Sequence, residues 1–462
     1  MSVTSVLEVL DRAHTGPVCP VTDWDARVLP NAVAQTLKRH NLVHTCNAQE
    51  PISSDDSLAD RFFEAGFELA TELGMLCIDT ERRIMIEAEE LWDILHKIPA
   101  ELVLGQGLDR VIMYPRKPED QRRPLFKSPL GIAVSEHLWV ALMQGIAENR
   151  EIDVLQGGSL DTVYGRKVRS QTPYETLVGF ENANLTNQVL WRARRSGMPV
   201  TAVISSVTSF GQLGGFGIPG GFSPKKDIVI VLGPSELKTS YHCLHKVVHA
   251  INCAAPIYSS ALPMIGGYAG GPEGVVLVAI AYSLLHYFVH QASYGGCSPY
   301  DLRYMGNTGR HAQWVLSVFL QALSRNTPVL KNTSINPTAG PGTEMLLYES
   351  LVTAMNLSVS GVSIGLGPRS AAGKYKDHLS PLECKWSAEV IKACAGMTRI
   401  QANDIAKRVI PKYEERLPDP PKGYAFQECY DVDTLKPKKE WRAMYHKVKA
   451  EAIELGIPVD RF

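Results

Sequence analysis

The sequence predicts an α/β fold: a TIM (β/α)8 barrel carrying a mostly helical N-terminal extension and a helical C-terminal tail. Two observations predict it. From about Leu130 onward, short β-rich runs alternate with longer stretches of helical periodicity, and the strand candidates begin roughly 25 to 50 residues apart. No early glycine fingerprint of the kind an open dinucleotide-binding sheet requires is present. The clearest unit is 227–273. There Asp227 to Leu232 is a short apolar strand and Gly233-Pro234 closes it. Ser235 is placed to cap a helix over Glu236 to Ala250, and Pro256 to Leu262 is the next strand.

The other strands are expected at Asp153 to Gly157, Val200 to Ser205, Leu302 to Met305, Val329 to Asn332 and Val362 to Leu366, with one of the eight unassigned. Helices fit between them at Pro173 to Ser196, Val275 to Tyr294, His311 to Ser324 and Thr343 to Met355. Residues 1–125 form the extension, 126–415 the barrel and 416–462 a tail that packs on the barrel or on a neighbouring subunit. The charged, proline-rich stretch Pro115 to Pro129 is expected to be a linker or surface crossing, and Glu389 to Ile410 one further helix.

Composition narrows the function. The formal net charge of -1 lacks the basic footprint of a general nucleic-acid binder. Nine scattered cysteines without a CxxC fit a reducing compartment and no zinc ribbon. The N-terminus shows no secretion signal, and no uninterrupted apolar window is long enough to span a bilayer. These features point to a cytoplasmic protein that binds neither membrane nor nucleic acid.

Barrel enzymes place their chemistry at the carboxyl ends of the strands. That rule selects Gln156, Ser205, Ser206, Ser235, Glu236, Ser259, Ser260, Arg303, Asn307, Asn332, Thr333, Ser334 and Asn336. His242, His245 and His249 share a helical face and could bind a metal, but no carboxylate completes a known motif, and buried or interfacial histidines are the simpler reading. Arg303 either holds an anionic group or pairs internally with Asp301. Glu344 is either a helix-start carboxylate or a pocket acid. The glycine-dense segments around Gly214, Gly215 and Gly220, and around Gly270 and Gly271, suit close approach by a partner or a flat macrocycle.

Several longer strings carry a resemblance: AGFELATELGMLCIDTERRI at Ala65 to Ile84, QTPYETL at Gln171 to Leu177 and SELK at Ser235 to Lys238. GGYAGGPE at Gly266 to Glu273, AGPGTEMLLYE at Ala339 to Glu349 and FQECYDV at Phe426 to Val432 belong with them. Together they make the chain, from about Arg12 to Val459, similar to the monomethylamine methyltransferase family. The resemblance implies a TIM barrel, a homo-oligomer (a hexamer in that family), and methyl transfer to the cobalt of a separate corrinoid protein docked over the barrel mouth. The chain itself would hold no tightly bound cofactor and no metal.

The family's pyrrolysine corresponds to a position within Thr201 to Ser205. Its pocket glutamate falls on Ser260, a second glutamate near Ile230, and its Gln-x-Tyr pair on Ser334 and Asn336. The resulting pocket candidates are Ser205, Ser260, Tyr268, Glu273, Arg303, Asn307, Ser334, Asn336 and Glu344. With the activating residues replaced by small ones, the expected donor is a quaternary or otherwise activated methylamine rather than monomethylamine. Tyr258, Tyr268 and Tyr304 would offer it aromatic faces. Two alternatives remain at this point: a noncatalytic partner of the corrinoid protein, and a barrel lyase or hydrolase.

Overall fold

The computed structural model describes residues 3–129, 131–202 and 208–462. Eight short parallel strands organise the part that positions the site. They are β1 (Leu125–Lys127), β2 (Leu155–Gln156), β3 (Val200–Ala202), β4 (Ile228–Leu232), β5 (Ile257–Ala261), β6 (Tyr294–Cys297), β7 (Asn332–Ser334) and β8 (Ile364–Leu366). They form two sheets rather than one. Strands β2 to β6 make a five-stranded parallel sheet in the order β6-β5-β4-β3-β2, and β7, β8 and β1 make a three-stranded one. The hydrogen-bonded ladder is an open, five-stranded half-barrel, so the closed (β/α)8 barrel expected from the sequence is corrected.

Side chains explain where the ladder breaks. Between β1 and β2 the backbone makes only one isolated bridge, Lys127 with Val154. The Asp153 carboxylate takes the Phe126 N–H at 2.8 Å, and the Ser128 hydroxyl stands between the strands at Gln156. Between β6 and β7 the contact is again a single bridge, Gly295 with Lys331. Strand β7 is only three residues long.

The inward faces of the two sheets enclose a small apolar cluster that includes Val154, Ile228, Ile230, Tyr258, Tyr294, Leu330 and Ile364. Alternation along each strand then stacks the inward positions into layers. One layer contains Lys127, Gln156, Thr201, Tyr258, Tyr294 and Asn332. The next, toward the carboxyl ends, contains Pro129, Leu232, Ser260, Ser334 and Leu366.

Helices cover the outer faces. Pro272–Val289 is apolar all round because it is buried all round, packed against Asp56–Leu73 of the N-terminal segment and against Arg310–Asn326. By length and composition this helix could cross a membrane, but 89% of it is buried within the protein.

Other boundaries moved as well. The segment Leu302 to Met305 is a turn, and the strand lies earlier, at Tyr294–Cys297. The unassigned strand is β1, inside the stretch expected to be a linker. Ser235 does not cap the following helix: Ser240 does, its hydroxyl accepting the Cys243 N–H, and the helix runs Tyr241–Asn252. The helix expected over Glu389 to Ile410 is two, Pro381–Ala393 and Arg399–Val409, each opened by a capping box.

Candidate functional site

A cavity of about 140 Å3 opens at the carboxyl ends of β4, β5, β7 and β8. Its polar lining includes Tyr258, Ser260, Ser298, Tyr300, Ser334, Asn336 and Arg369, and Leu232, Leu262, Ile335 and Leu366 supply apolar wall. The strand pleat explains the set. Tyr258 and Ser260 are alternate residues of β5, and Ser334 ends β7 with Asn336 two residues on.

The polar groups hold one another in place. Asn336 Nδ2 donates to Ser334 Oγ at 2.5 Å. Asn307 braces the same loop from behind. Its Nδ2 donates to the Ser334 carbonyl at 2.7 Å, and its Oδ1 accepts the Asn336 N–H at 2.9 Å. The Tyr258 hydroxyl accepts from Asn332 Nδ2 at 2.9 Å. Complete burial pushes that phenol upward, against hydrogen bonds from Ser260 and Asn332. Arg369 donates through Nη1 to the Tyr300 hydroxyl at 3.0 Å and through Nη2 to the Gly131 carbonyl at 3.3 Å. The described lining residues include no carboxylate, and Arg369 is the one charged side chain among them.

The structure brings Ser260, Ser334 and Asn336 together, with Asn307 directly behind them. Ser205 lies outside the described residues. The remaining pocket candidates are elsewhere. Glu273 opens the Pro272–Val289 helix and accepts the Cys46 N–H at 3.0 Å. Glu344 opens its own helix and pairs with Lys447 at 2.8 Å. Arg303 is clamped on Asp301 through Nε and Nη2, the internal pair, and does not line the cavity. Tyr268 is half exposed and faces Lys238, and Tyr304 stacks under Arg303.

The docking candidates also divide. Gly214 and Gly215 lie in the short helix Phe210–Gly215, where a Cβ would strike the backbone carbonyls of Thr176 and Gly179, so their smallness serves helix packing. Gly220, Gly270 and Gly271 are on exposed turns. Of the three histidines, His242 and His245 approach Ser209, and His249 meets the Phe216 carbonyl. Among the described residues no group of three or more His, Cys, Asp or Glu could hold a metal ion.

Sequence reasoning missed Tyr300, Arg369 and Lys127. Arg369 lies three residues beyond the end of β8, where the strand-end rule would have found it had the search run past Leu366. Lys127 was hidden by its proline- and arginine-rich neighbours.

With this geometry the chain was compared with known proteins. It matches the family model for "Monomethylamine methyltransferase MtmB" over residues 4–457. It is 29% identical over 448 residues to the monomethylamine methyltransferase MtmB of Methanosarcina mazei and to MtmB1 of Methanosarcina acetivorans, covering 97% of this chain and of each relative. The crystal structure of the Methanosarcina barkeri monomethylamine methyltransferase superposes with a TM-score of 0.93 at 28% identity over 98% of both chains, as does the crystal structure of a hydroxylamine MtmB complex.

These findings overturn the expectation of a quaternary or activated donor that excludes monomethylamine. The cavity agrees with the correction. A quaternary ammonium has no N–H to give these hydroxyls and amides. It would find no carboxylate among the described lining residues, and of the three aromatic candidates only Tyr258 lines the cavity, Tyr268 and Tyr304 standing outside it. The replaced side chains do not open extra room either, because about 140 Å3 lies well under the usual range for ligand pockets. The chain belongs to the monomethylamine methyltransferase MtmB family and is a methyltransferase.

Proposed function

We propose that the chain moves the methyl group of monomethylamine to the cobalt of a corrinoid carried by a separate protein, using a site built from ordinary side chains. The observation that carries this reading is the cavity. It is small, opens at the strand ends and is lined largely by neutral groups that both give and accept hydrogen bonds, with Arg369 the one charged side chain among the described lining residues. Such a lining suits a primary amine, whose nitrogen does both. Holding that nitrogen on Ser260, Ser334 and Asn336 turns the methyl carbon toward the open end of the cavity, where the cobalt is presented. The corrinoid acts as the methyl-accepting co-substrate. The protein's own part is to bind, orient and exclude water.

The positions 201–205 read Thr-Ala-Val-Ile-Ser, so this reading assigns no pyrrolysine chemistry to the chain. The rim supports docking of a partner. Leu232, Leu262, Tyr268, Leu302 and Met305 are exposed apolar side chains from the strand ends and the loops beyond them, and exposed apolar clusters mark interaction surfaces. All nine cysteines are free, in keeping with a reducing cytoplasm. The test is a mixture of the purified protein, its reduced corrinoid partner and monomethylamine, followed by the absorbance change from cobalt(I) to methylcobalt(III). Methyl transfer supports the reading. An inert mixture, with a partner shown to be active by another methyl donor, refutes it.

A further inference from the structure

The layer immediately beneath the cavity is unusually polar for the space between two sheets. Lys127 closes β1 with its side chain pointing inward, and the residue is 0% exposed. Its Nζ lies 3.1 Å from the centroid of the Tyr258 ring and 5.2 Å from that of Tyr294, which stacks on Tyr258. It has no hydrogen-bond partner among the described residues. Neither have the Gln156 amide oxygen and nitrogen or Asn332 Oδ1 nearby, whereas the Tyr294 hydroxyl faces that of Thr201. Buried polar groups are nearly always paired, so this many orphaned atoms in one layer call for a polar occupant.

Tyr258 joins the two levels, because the same ring lines the cavity and covers Lys127. Pro129, the next inward residue along the chain from Lys127, lines the cavity as well. Burial with no acidic partner drives the Lys127 amine well below its usual range, toward the neutral form with a free lone pair. Buried lysines of this kind serve as bases and nucleophiles in enzymes.

We propose that Lys127 is a substrate-binding residue: its Nζ and the nitrogen of the substrate amine, seated at the floor of the cavity, share one proton in an N–H···N hydrogen bond. This rests on the monomethylamine reading and adds the residue that recognises the amine. The nitrogen that leaves when the methyl group departs must carry a proton. The pair carries one positive charge, spread over the two nitrogens and facing the Tyr258 and Tyr294 rings. When the methyl group passes to cobalt(I), the shared proton stays on the departing nitrogen, which leaves as ammonia. Ser260, Ser334 and Asn336, which line the cavity above, take the remaining N–H groups.

The test uses the full-length protein and methylammonium chloride, with sodium chloride as the control. Native protein is titrated by calorimetry beside Lys127→Met, which fills the same space without the amine. The expected result is binding to the native protein, weakened at least about tenfold in Lys127→Met, as befits one lost charge-assisted hydrogen bond. In parallel, the native protein is treated with cyanate, a small reagent that adds to unprotonated amines, and the adducts are mapped by peptide mass. Lys127 should be carbamylated, and methylammonium should slow that reaction while surface lysines are unaffected. This arm needs no variant to fold.

Equal affinity in Lys127→Met, or a Lys127 that cyanate does not label or that methylammonium does not protect, overturns the inference and leaves the methylamine reading standing. No methylammonium binding to the native protein overturns both.

Discussion

The Ser128 hydroxyl is inserted between β1 and β2 at Gln156, accepting the Gln156 N–H at 2.7 Å and donating to the Gln156 carbonyl at 2.8 Å. One side chain thus does the work of two ladder hydrogen bonds at the seam between the two sheets. Ser128→Ala leaves both Gln156 backbone groups unpaired in a fully buried position, and each orphan costs about 1–3 kcal/mol. We expect a loss of about 2–4 kcal/mol in denaturant unfolding. A change below about 0.5 kcal/mol, the scatter of an ordinary surface substitution, would show that the seam is held elsewhere.

A second prediction concerns acid stability. His290 lies behind β5, with Nε2 2.8 Å from the Thr239 hydroxyl and Nδ1 2.8 Å from the Ser259 hydroxyl, and His286 stacks on it. Burial lowers His290 to about 3, and burial together with His290 holds His286 well below its ordinary range. The unfolded chain, with histidine near 6.5, therefore binds protons that the folded chain refuses. Stability from this pair is complete above about pH 6.5 and falls as the pH drops toward 3, by about 1.4 kcal/mol per pH unit for His290 alone. Melting temperature measured against pH should fall less steeply over that window in His290→Asn. An unchanged slope would remove the histidine from the acid response.

A third prediction tests the rim. Gly270 has φ near +78°, and a Cβ there would meet no atom within 4 Å. Gly270→Trp therefore costs only the backbone strain, about 1–2 kcal/mol, and projects a large ring over the rim. The variant should keep its fold and bind the corrinoid protein more weakly in a titration. Full-strength binding by a correctly folded variant would move the docking surface away from this turn.

The elements legible in the sequence were those with strong physical signals. The apolar run Asp227 to Leu232 and the β-rich Pro256 to Leu262 stand close to the observed β4 and β5, and the helix over Pro173 to Ser196 stands close to Pro173–Arg192. What escaped lacked such signals. Strand β6 is Tyr-Gly-Gly-Cys, with no β-branched residue, and it follows directly on a long apolar helix into which Tyr294 was drawn. Strand β1 is three residues ending in a lysine, and on composition alone a lysine beside Pro124 and two arginines belongs to the surface. The two-sheet arrangement was out of reach for a similar reason. It depends on where the Ser128 and Asp153 side chains interrupt the backbone ladder, and strand periodicity is silent about that. For the site, the strand-end rule reached Ser260, Ser334 and Asn336. The further step to a bulky donor failed because the space left by small side chains is filled by Leu232, Leu262, Tyr300 and Arg369, which arrive from other strands and loops.

The central claim is that this site, without pyrrolysine, takes the methyl group of monomethylamine. The most direct measurement is a single-turnover experiment with methyl-labelled monomethylamine, the purified protein and stoichiometric cobalt(I) corrinoid protein. The account predicts label on the cobalt, as methylcobalt(III), together with one equivalent of ammonia. Absence of both under conditions where the corrinoid protein accepts a methyl group from another donor would contradict it.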